Sequence, residues 1–194
     1  MRRVALLSSL VAMGLAVIGL VATCSEAGGP PSKTVLNLGD SLAVGIDPYL
    51  ESILSDWTVT PAAVSGRRSD EGLAALERRR KRLPRVLVVS LGTNDDPQNV
   101  DGFAGVVAEV ERLAGRSRCI VWTTVVRPPV GGVDYTAFND LLRREDQRLR
   151  SFRLVDWEAI VAKNPGYLRE DGVHAVAEGY RARAEETARV VRRC

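Results

Sequence analysis

Histidine is almost missing from this chain of 194 residues: it occurs once, as His174. The three cysteines, Cys24, Cys119 and Cys194, stand far apart, so no cluster of soft ligands has the spacing of a zinc site. No tandem repeat and no Walker-type phosphate loop is present. Aromatic residues make up 5%, which leaves no aromatic-rich insertion to serve as a lid over a long-chain lipid site. A strong excess of one charge is missing too. The formal net charge is +3, and setting aside Arg2, Arg3 and Glu26 brings it one unit closer to zero. That balance gives no overall reason to expect a nucleic-acid partner, whose phosphates call for a concentrated basic face. What is there is 45% hydrophobic and 26% charged, the make-up of a globular domain rather than a disordered segment. After a leader is removed, the remainder has room for one domain with a sizeable core, and not for two.

One local exception to the charge balance is the run Arg78, Arg79, Arg80, Lys81 and Arg82, between an expected helix and a strand beginning near Arg85. Cations late in a helix face its negative pole. A basic patch near a membrane also gains attraction from anionic head groups.

The chain opens with Arg2 and Arg3 before an uncharged stretch from Val4 to Ser25, the charged and apolar regions of an export signal. Residues 1–27 are therefore expected to be an export signal or membrane anchor. Ser25-Glu26-Ala27 offers small residues at the positions a signal peptidase reads, favouring cleavage after Ala27. Val21-Ala22-Thr23-Cys24 resembles a bacterial lipobox, with Thr23 where Gly, Ala or Ser is usual. Uncut, the segment is long enough to span a bilayer. Soluble secretion, lipid anchoring and retention by a helix all stay open, and each makes the domain secreted or extracytoplasmic and membrane-anchored. If cleavage follows Ala27, Cys119 and Cys194 are the cysteines left, and an oxidising exterior allows their pairing.

Residues 28–33, Gly-Gly-Pro-Pro-Ser-Lys, read as a short tether. From residue 34 to 194, strand-like runs alternate with amphipathic helical stretches. Val35 to Leu38 is the first strand, followed by a helix through Leu50 and Leu54, and Trp57 to Thr60 is a weaker strand. Arg85 to Leu91 and Cys119 to Val126 are nearly continuous apolar runs, as expected of central parallel strands covered on both faces. Phe103, Val106, Val107, Val110 and Leu113 share a helical face, as do Phe138, Leu141, Leu142 and Leu149. A short strand spans Phe152 to Val155, and a last helix from Val176 carries Tyr180, Ala184, Thr187 and Val191 on one side. Such alternation predicts right-handed βα units and a mainly parallel sheet with helices on both faces. Ligands then belong at the carboxyl ends of the strands.

Four polar motifs fall at that edge: Gly39-Asp40-Ser41-Leu42, Ser65-Gly66-Arg67, Gly92-Thr93-Asn94-Asp95 and Asp171-Gly172-Val173-His174. A strand-to-helix turn presents Ser41 Oγ outward while Gly39 permits close approach and the helix amino terminus stabilises negative charge. His174 has one ring nitrogen to take the Ser41 proton and a second for an orienting acceptor. Asp171, three residues earlier, reaches that second nitrogen through a turn, and an orienting carboxylate fixes the tautomer. Taken singly, each motif has a plainer use. Ser41 would cap a helix, His174 would be an ordinary polar residue, Gly92 and Asn94 would shape a turn, and Asp171 and Gly172 would start the last helix. Only their convergence makes a site.

In these four motifs and their order the chain resembles the SGNH hydrolase superfamily, also called the GDSL esterase and lipase family. The resemblance implies a three-layer α/β/α sandwich around a flavodoxin-like, mainly parallel five-stranded sheet. It implies Ser41 as nucleophile, Asp171 and His174 as acid and base, and an oxyanion hole from the Ser41 and Gly66 backbone N–H groups and the Asn94 side-chain amide. Asp40 then organises the turn and Asp95 supports the Asn94 loop. No metal or organic cofactor is implied. The expected reaction is hydrolysis of small O-acyl esters, on an extracellular carbohydrate or cell-wall glycan, through a covalent acyl-enzyme. An O-acyltransferase using the same three residues and a non-catalytic glycan-binding domain are the alternatives. Arg127 on the loop after the fourth strand would meet a polar substrate or a surface carboxylate, and Trp122 belongs in the core. The expected protein is a monomer, with membrane association through its amino-terminal segment.

Overall fold

The structure, a computed structural model, describes residues 33–194. The export signal, its cleavage after Ala27, lipidation at Cys24 and the tether up to Ser32 lie outside the described residues. The most apolar runs become the interior of a sheet. Strands β1 (Thr34–Gly39), β3 (Val86–Ser90) and β4 (Cys119–Thr123) are buried almost throughout, and β2 (Thr58–Ala63) and β5 (Phe152–Val155) form the two edges. All neighbours pair in parallel, in the order β2-β1-β3-β4-β5. This is the flavodoxin-like order, whose switch point lies between β1 and β3.

Alternation along each strand sends side chains to two different cores. Val35, Val86, Val88, Val121 and Val155 meet helices α1 (Ser41–Ile53) and α6 (Ala177–Val191). Leu36, Leu38, Leu87, Val89, Ile120 and Trp122 face the other way, against α2 (Ser69–Glu77), α3 (Val100–Ala114) and α4 (Thr136–Arg148). The result is an α/β/α sandwich. A further short helix, α5 (Trp157–Lys163), packs Trp157 and Val161 against Ala175 beyond β5. Among the described residues, no helix is long and apolar enough to cross a membrane.

Boundaries depart from the sequence expectations where backbone pairing, rather than hydrophobicity, decides. The second strand runs on through Pro61 to Ala63, a residue tolerated because β2 is an edge. The fourth strand stops at Thr123 although the apolar run continues to Val126. Beyond it, Asn139 from α4 accepts from Val125 N at 2.7 Å and donates to Val125 O at 2.9 Å, taking over the groups a further strand pair would have used. Cys119 and Cys194 form a disulfide with Cα atoms 5.7 Å apart, fastening the start of β4 to the residues after α6.

Candidate active site

The carboxyl edge of the sheet is assembled around β1. Gly39 lies so close to β3 that an added Cβ would stand 2.5 Å from Ser90 O, and Asp40 N donates to that same carbonyl at 3.1 Å. Asp40 caps α1, its Oδ1 accepting from Leu42 N at 2.9 Å, which puts Ser41 at the first helical position with its backbone N–H free of the helix's own ladder. The expectation that Asp40 shapes the turn therefore matches its contacts. Burial pushes the Asp40 carboxyl up from its ordinary range, while the Leu42 N–H and the Arg183 guanidinium act in the opposite direction.

Arg183 is a feature that sequence reading missed. It lies on the inner face of α6 at 2% exposure, donates Nη2 to Ser90 Oγ at 2.7 Å and sits 5.2 Å over the Trp157 ring. Desolvation lowers its pKa to about 10, with Asp40 the leading charge opposing that shift, so it remains a cation at neutral pH. Asp40 and Arg183 thus hold Ser90 from two sides, one by its carbonyl and the other by its hydroxyl. The helical spacing of Tyr180, Ala184 and Thr187 already pointed this position inward.

Ser41 Oγ is 3.0 Å from His174 Nε2, and His174 Nδ1 is 2.7 Å from Asp171 Oδ2. A hairpin-like segment closed by the Leu168–Ala175 bridge carries Asp171 and His174, so they stand ahead of α6 rather than starting it. The other Asp171 oxygen accepts from Val173 N and His174 N, both at 2.9 Å. The His174 ring and these two N–H groups hold the Asp171 carboxyl down at about 2. An ionised Asp171 can only accept, so the Nδ1 proton points to it and the Nε2 lone pair faces the serine hydroxyl. The acid is not buried: its side chain is 47% exposed and that of His174 38%. Its charge is fixed by hydrogen bonds in a turn, not by exclusion of water.

The loops after β2 and β3 are tied to each other and to this edge. Val64 N donates to Gly39 O at 3.0 Å, and Arg67 Nη1 donates to Ala62 O at 2.5 Å. Gly66 takes the left-handed φ of 76°, which a side chain would strain. One Asn94 amide proton goes to Arg67 O at 3.1 Å, leaving the other for a ligand. Asp95 Oδ1 accepts from Ser69 N at the start of α2 at 2.9 Å, the supporting role expected of it.

Of the two uses expected of Arg127, the surface carboxylate is not found. Its Nη1 donates to Thr93 O at 2.6 Å and to Asn94 Oδ1 at 3.4 Å, so it props the Asn94 loop and pairs with no carboxylate among the described residues. The neighbouring Pro128 packs on Gly172, where an added Cβ would come within 2.9 Å. The loop after β4 therefore joins the Asn94 loop to the Asp171–His174 segment. Trp122 is fully buried and donates Nε1 to Leu91 O at 3.3 Å, a core residue as expected. No group of three or more His, Cys, Asp and Glu among the described residues has an arrangement that would hold a metal ion.

A hydroxyl backed by an imidazole and a carboxylate, at a helix start and beside further N–H donors, is equipped for nucleophilic acyl transfer. Comparison with known proteins points the same way. Residues 38–182 match the model of the GDSL-like Lipase/Acylhydrolase family. No curated protein matches the chain. Similar folds include the catalytic domain of peptidoglycan O-acetyltransferase A from Streptococcus pneumoniae, with a TM-score of 0.71, 16% identity and coverage of 85% of this chain and 95% of that one. A family 3 carbohydrate esterase from Clostridium thermocellum has a TM-score of 0.65 at 14% identity, covering 84% and 98%. A psychrotrophic esterase from Pseudoalteromonas has a TM-score of 0.64 at 19% identity, covering 84% and 98%.

Proposed function

Because this chain belongs to the GDSL-like Lipase/Acylhydrolase family, and so is an ester hydrolase of that type, we propose that it removes small O-acyl groups from an extracytoplasmic glycan, with Ser41 as nucleophile. The observation carrying this reading is the row Ser41 Oγ, His174 Nε2, His174 Nδ1, Asp171 Oδ2, with successive contacts of 3.0 and 2.7 Å. His174 takes the Ser41 proton as Oγ bonds to the acyl carbon, and then gives it to the departing alcohol as the ester C–O bond breaks. Water, activated by the same nitrogen, releases the acid and restores Ser41. Backbone N–H groups of Ser41 and Gly66 and the free Asn94 amide proton serve the tetrahedral oxyanion. Asp171, charged well below neutral pH, stabilises the imidazolium formed in each half.

The open, half-exposed setting of His174 and Asp171 supports small acyl groups on a bulky alcohol and capture of the acyl-enzyme by water rather than by an acceptor sugar. The similarity in fold to a carbohydrate esterase is in keeping with a glycan substrate. The export-type leader and the Cys119–Cys194 disulfide support a location outside the cytoplasm, since reducing compartments disfavour such bonds.

The test is acyl-ester profiling with glycan acceptors present, following free acetate and acylated acceptor together. Acetate should dominate, and Ser41→Ala should keep the fold while kcat falls about a million-fold and the covalent intermediate vanishes from intact-protein mass spectra. Predominant acylation of the acceptor would make the protein a transferase, as peptidoglycan O-acetyltransferase A is by its name. Glycan binding with no turnover of any ester would make it a binding domain.

A further inference from the structure

The near-balance of charge conceals a polarised surface. Every strand of a parallel sheet starts at one edge, and here that edge, opposite Ser41, is lined with arginine. Arg85 precedes β3, Arg118 precedes β4, Arg150 and Arg153 flank the start of β5, Arg116 lies in the turn after α3 and Arg193 follows α6. These six surround one hollow beside the disulfide, and no Asp or Glu lines it. Arg80, Lys81 and Arg82, exposed on a turn of 3-10 helix after α2, lead to the same edge, because three residues after Arg82 the chain reaches Arg85 and then β3.

Cations are expected where helices end, and some of these are used that way. Arg118 donates to Ala114 O at the end of α3, Arg79 to Ala75 O in α2, and Arg192 to Ile53 O at the end of α1. Arg85 holds Cys194 O. The carboxylates nearby are largely taken: Asp56 by Lys33, and Glu111 and Glu145 by Arg148. Glu77 stands at the head of the basic turn. Helix capping thus leaves a surplus: Arg80, Lys81, Arg82, Arg116, Arg150 and Arg193 are exposed, and their side chains make no hydrogen bond or ion pair with any described residue.

We infer that this basic pole docks on an anionic membrane surface, with the Ser41 edge facing away from the bilayer. Charge complementarity requires a polyanion. The path of the chain selects which one. Lys33 enters β1 at this same edge, and seven residues, 26–32, separate it from the uncharged stretch Val4 to Ser25. Fully extended, the eight steps from Ser25 to Lys33 reach at most about 28 Å, so were that apolar stretch held in a bilayer, this edge of the sheet could reach the lipid head groups. Each cation near such a surface adds attraction that decays within a Debye length. The inference does not depend on the esterase reading.

The test uses the full chain and vesicles of phosphatidylcholine alone or with about 30% phosphatidylglycerol, near 0.1 M salt. Partitioning onto the anionic vesicles should be stronger by about tenfold or more, and that preference should fade as salt rises. A variant combining Arg80→Gln, Lys81→Gln, Arg82→Gln, Arg116→Gln, Arg150→Gln and Arg193→Gln should lose the preference. It should retain both its partitioning onto phosphatidylcholine and its hydrolysis of a small acetyl ester, since these residues lie away from Ser41. Equal partitioning of the wild type onto both vesicles, or a preference that survives in the variant, would overturn the inference. So would tight binding of double-stranded DNA or polyphosphate at a salt concentration where the vesicle preference has gone, which would assign the pole to a soluble polyanion. A chain inactive on all esters that still prefers anionic vesicles would defeat the esterase reading and leave this one standing.

Discussion

Asn94 has one amide proton committed to Arg67 O and one free, so in the proposed reaction it would offer a single donor to the developing charge. Asn94→Ala should therefore lower kcat by about 10²- to 10³-fold while moving KM little, and steady-state kinetics on an acetyl ester will show it. An equal rise in KM at constant kcat would mean that the amide binds substrate rather than the transition state. Asp171 yields a prediction about pH. Three hydrogen bonds hold its native carboxyl at about 2, below the ordinary 3.8. The folded state thus binds the proton more weakly than the unfolded one. The stabilisation is fully present above the unfolded value and is lost as pH falls through about 2. The gap in melting temperature between the wild type and Asp171→Asn should be open at pH 7 and narrowed at pH 2. A gap of constant width would mean that the neutral amide makes the same turn contacts.

Elements were legible in proportion to how strongly their environment forces one pattern. Strands β3 and β4 are covered on both faces, so Val86 to Val89 and Cys119 to Trp122 had to be apolar throughout and stood out. The α3 stripe from Phe103 to Val110 did the same at helical period. Helix α5 went unread because its seven residues give barely two turns of periodicity, and β2 was displaced because an edge strand needs no continuous apolar run. Ser41, Asp171 and His174 were legible as a set through the family resemblance of their motifs and their order; only Asp171 and His174 are close in sequence, and the fold brings Ser41 to His174 across 133 residues. Their supports were not. Asn139 and Arg183 are polar residues on otherwise apolar helix faces, and what they hold, Val125 and Ser90, lies on other elements. For Arg183 the consequence is measurable. Its guanidinium is buried near Asp40, with Nε and Nη1 making no hydrogen bond among the described residues. No ion pair joins the two side chains, but the Arg183 charge opposes the upward push of burial on Asp40, so removing it leaves Asp40 buried without that countercharge. Arg183→Met should cost about 3–5 kcal/mol in denaturant unfolding, and adding Asp40→Asn should recover part of that loss. A double variant as unstable as the sum of the two single ones would show that the charges do not interact.

At the scale of the whole molecule, the two poles of the sheet divide the work: polar loops with the serine at one end, arginines and a covalent clasp at the other. The Cys119–Cys194 bond spans 75 residues of sequence, and closing a loop of that length restricts the unfolded chain substantially. Replacing both cysteines with alanine should cost about 2–4 kcal/mol, seen as a lower melting temperature, with acetyl-ester hydrolysis at 25 °C retained because the clasp is remote from Ser41. Loss of activity without loss of stability would show instead that the clasp governs the geometry of the distant edge. The position of β1 carries a mechanical consequence. It is an interior strand, hydrogen-bonded along its length to β2 on one side and β3 on the other, and it is the strand into which the preceding chain feeds. Tension drawn through Lys33 along the strand would load both ladders in shear, so that many bonds must yield together instead of opening singly from one end. A domain hung by that strand is suited to resist pulling.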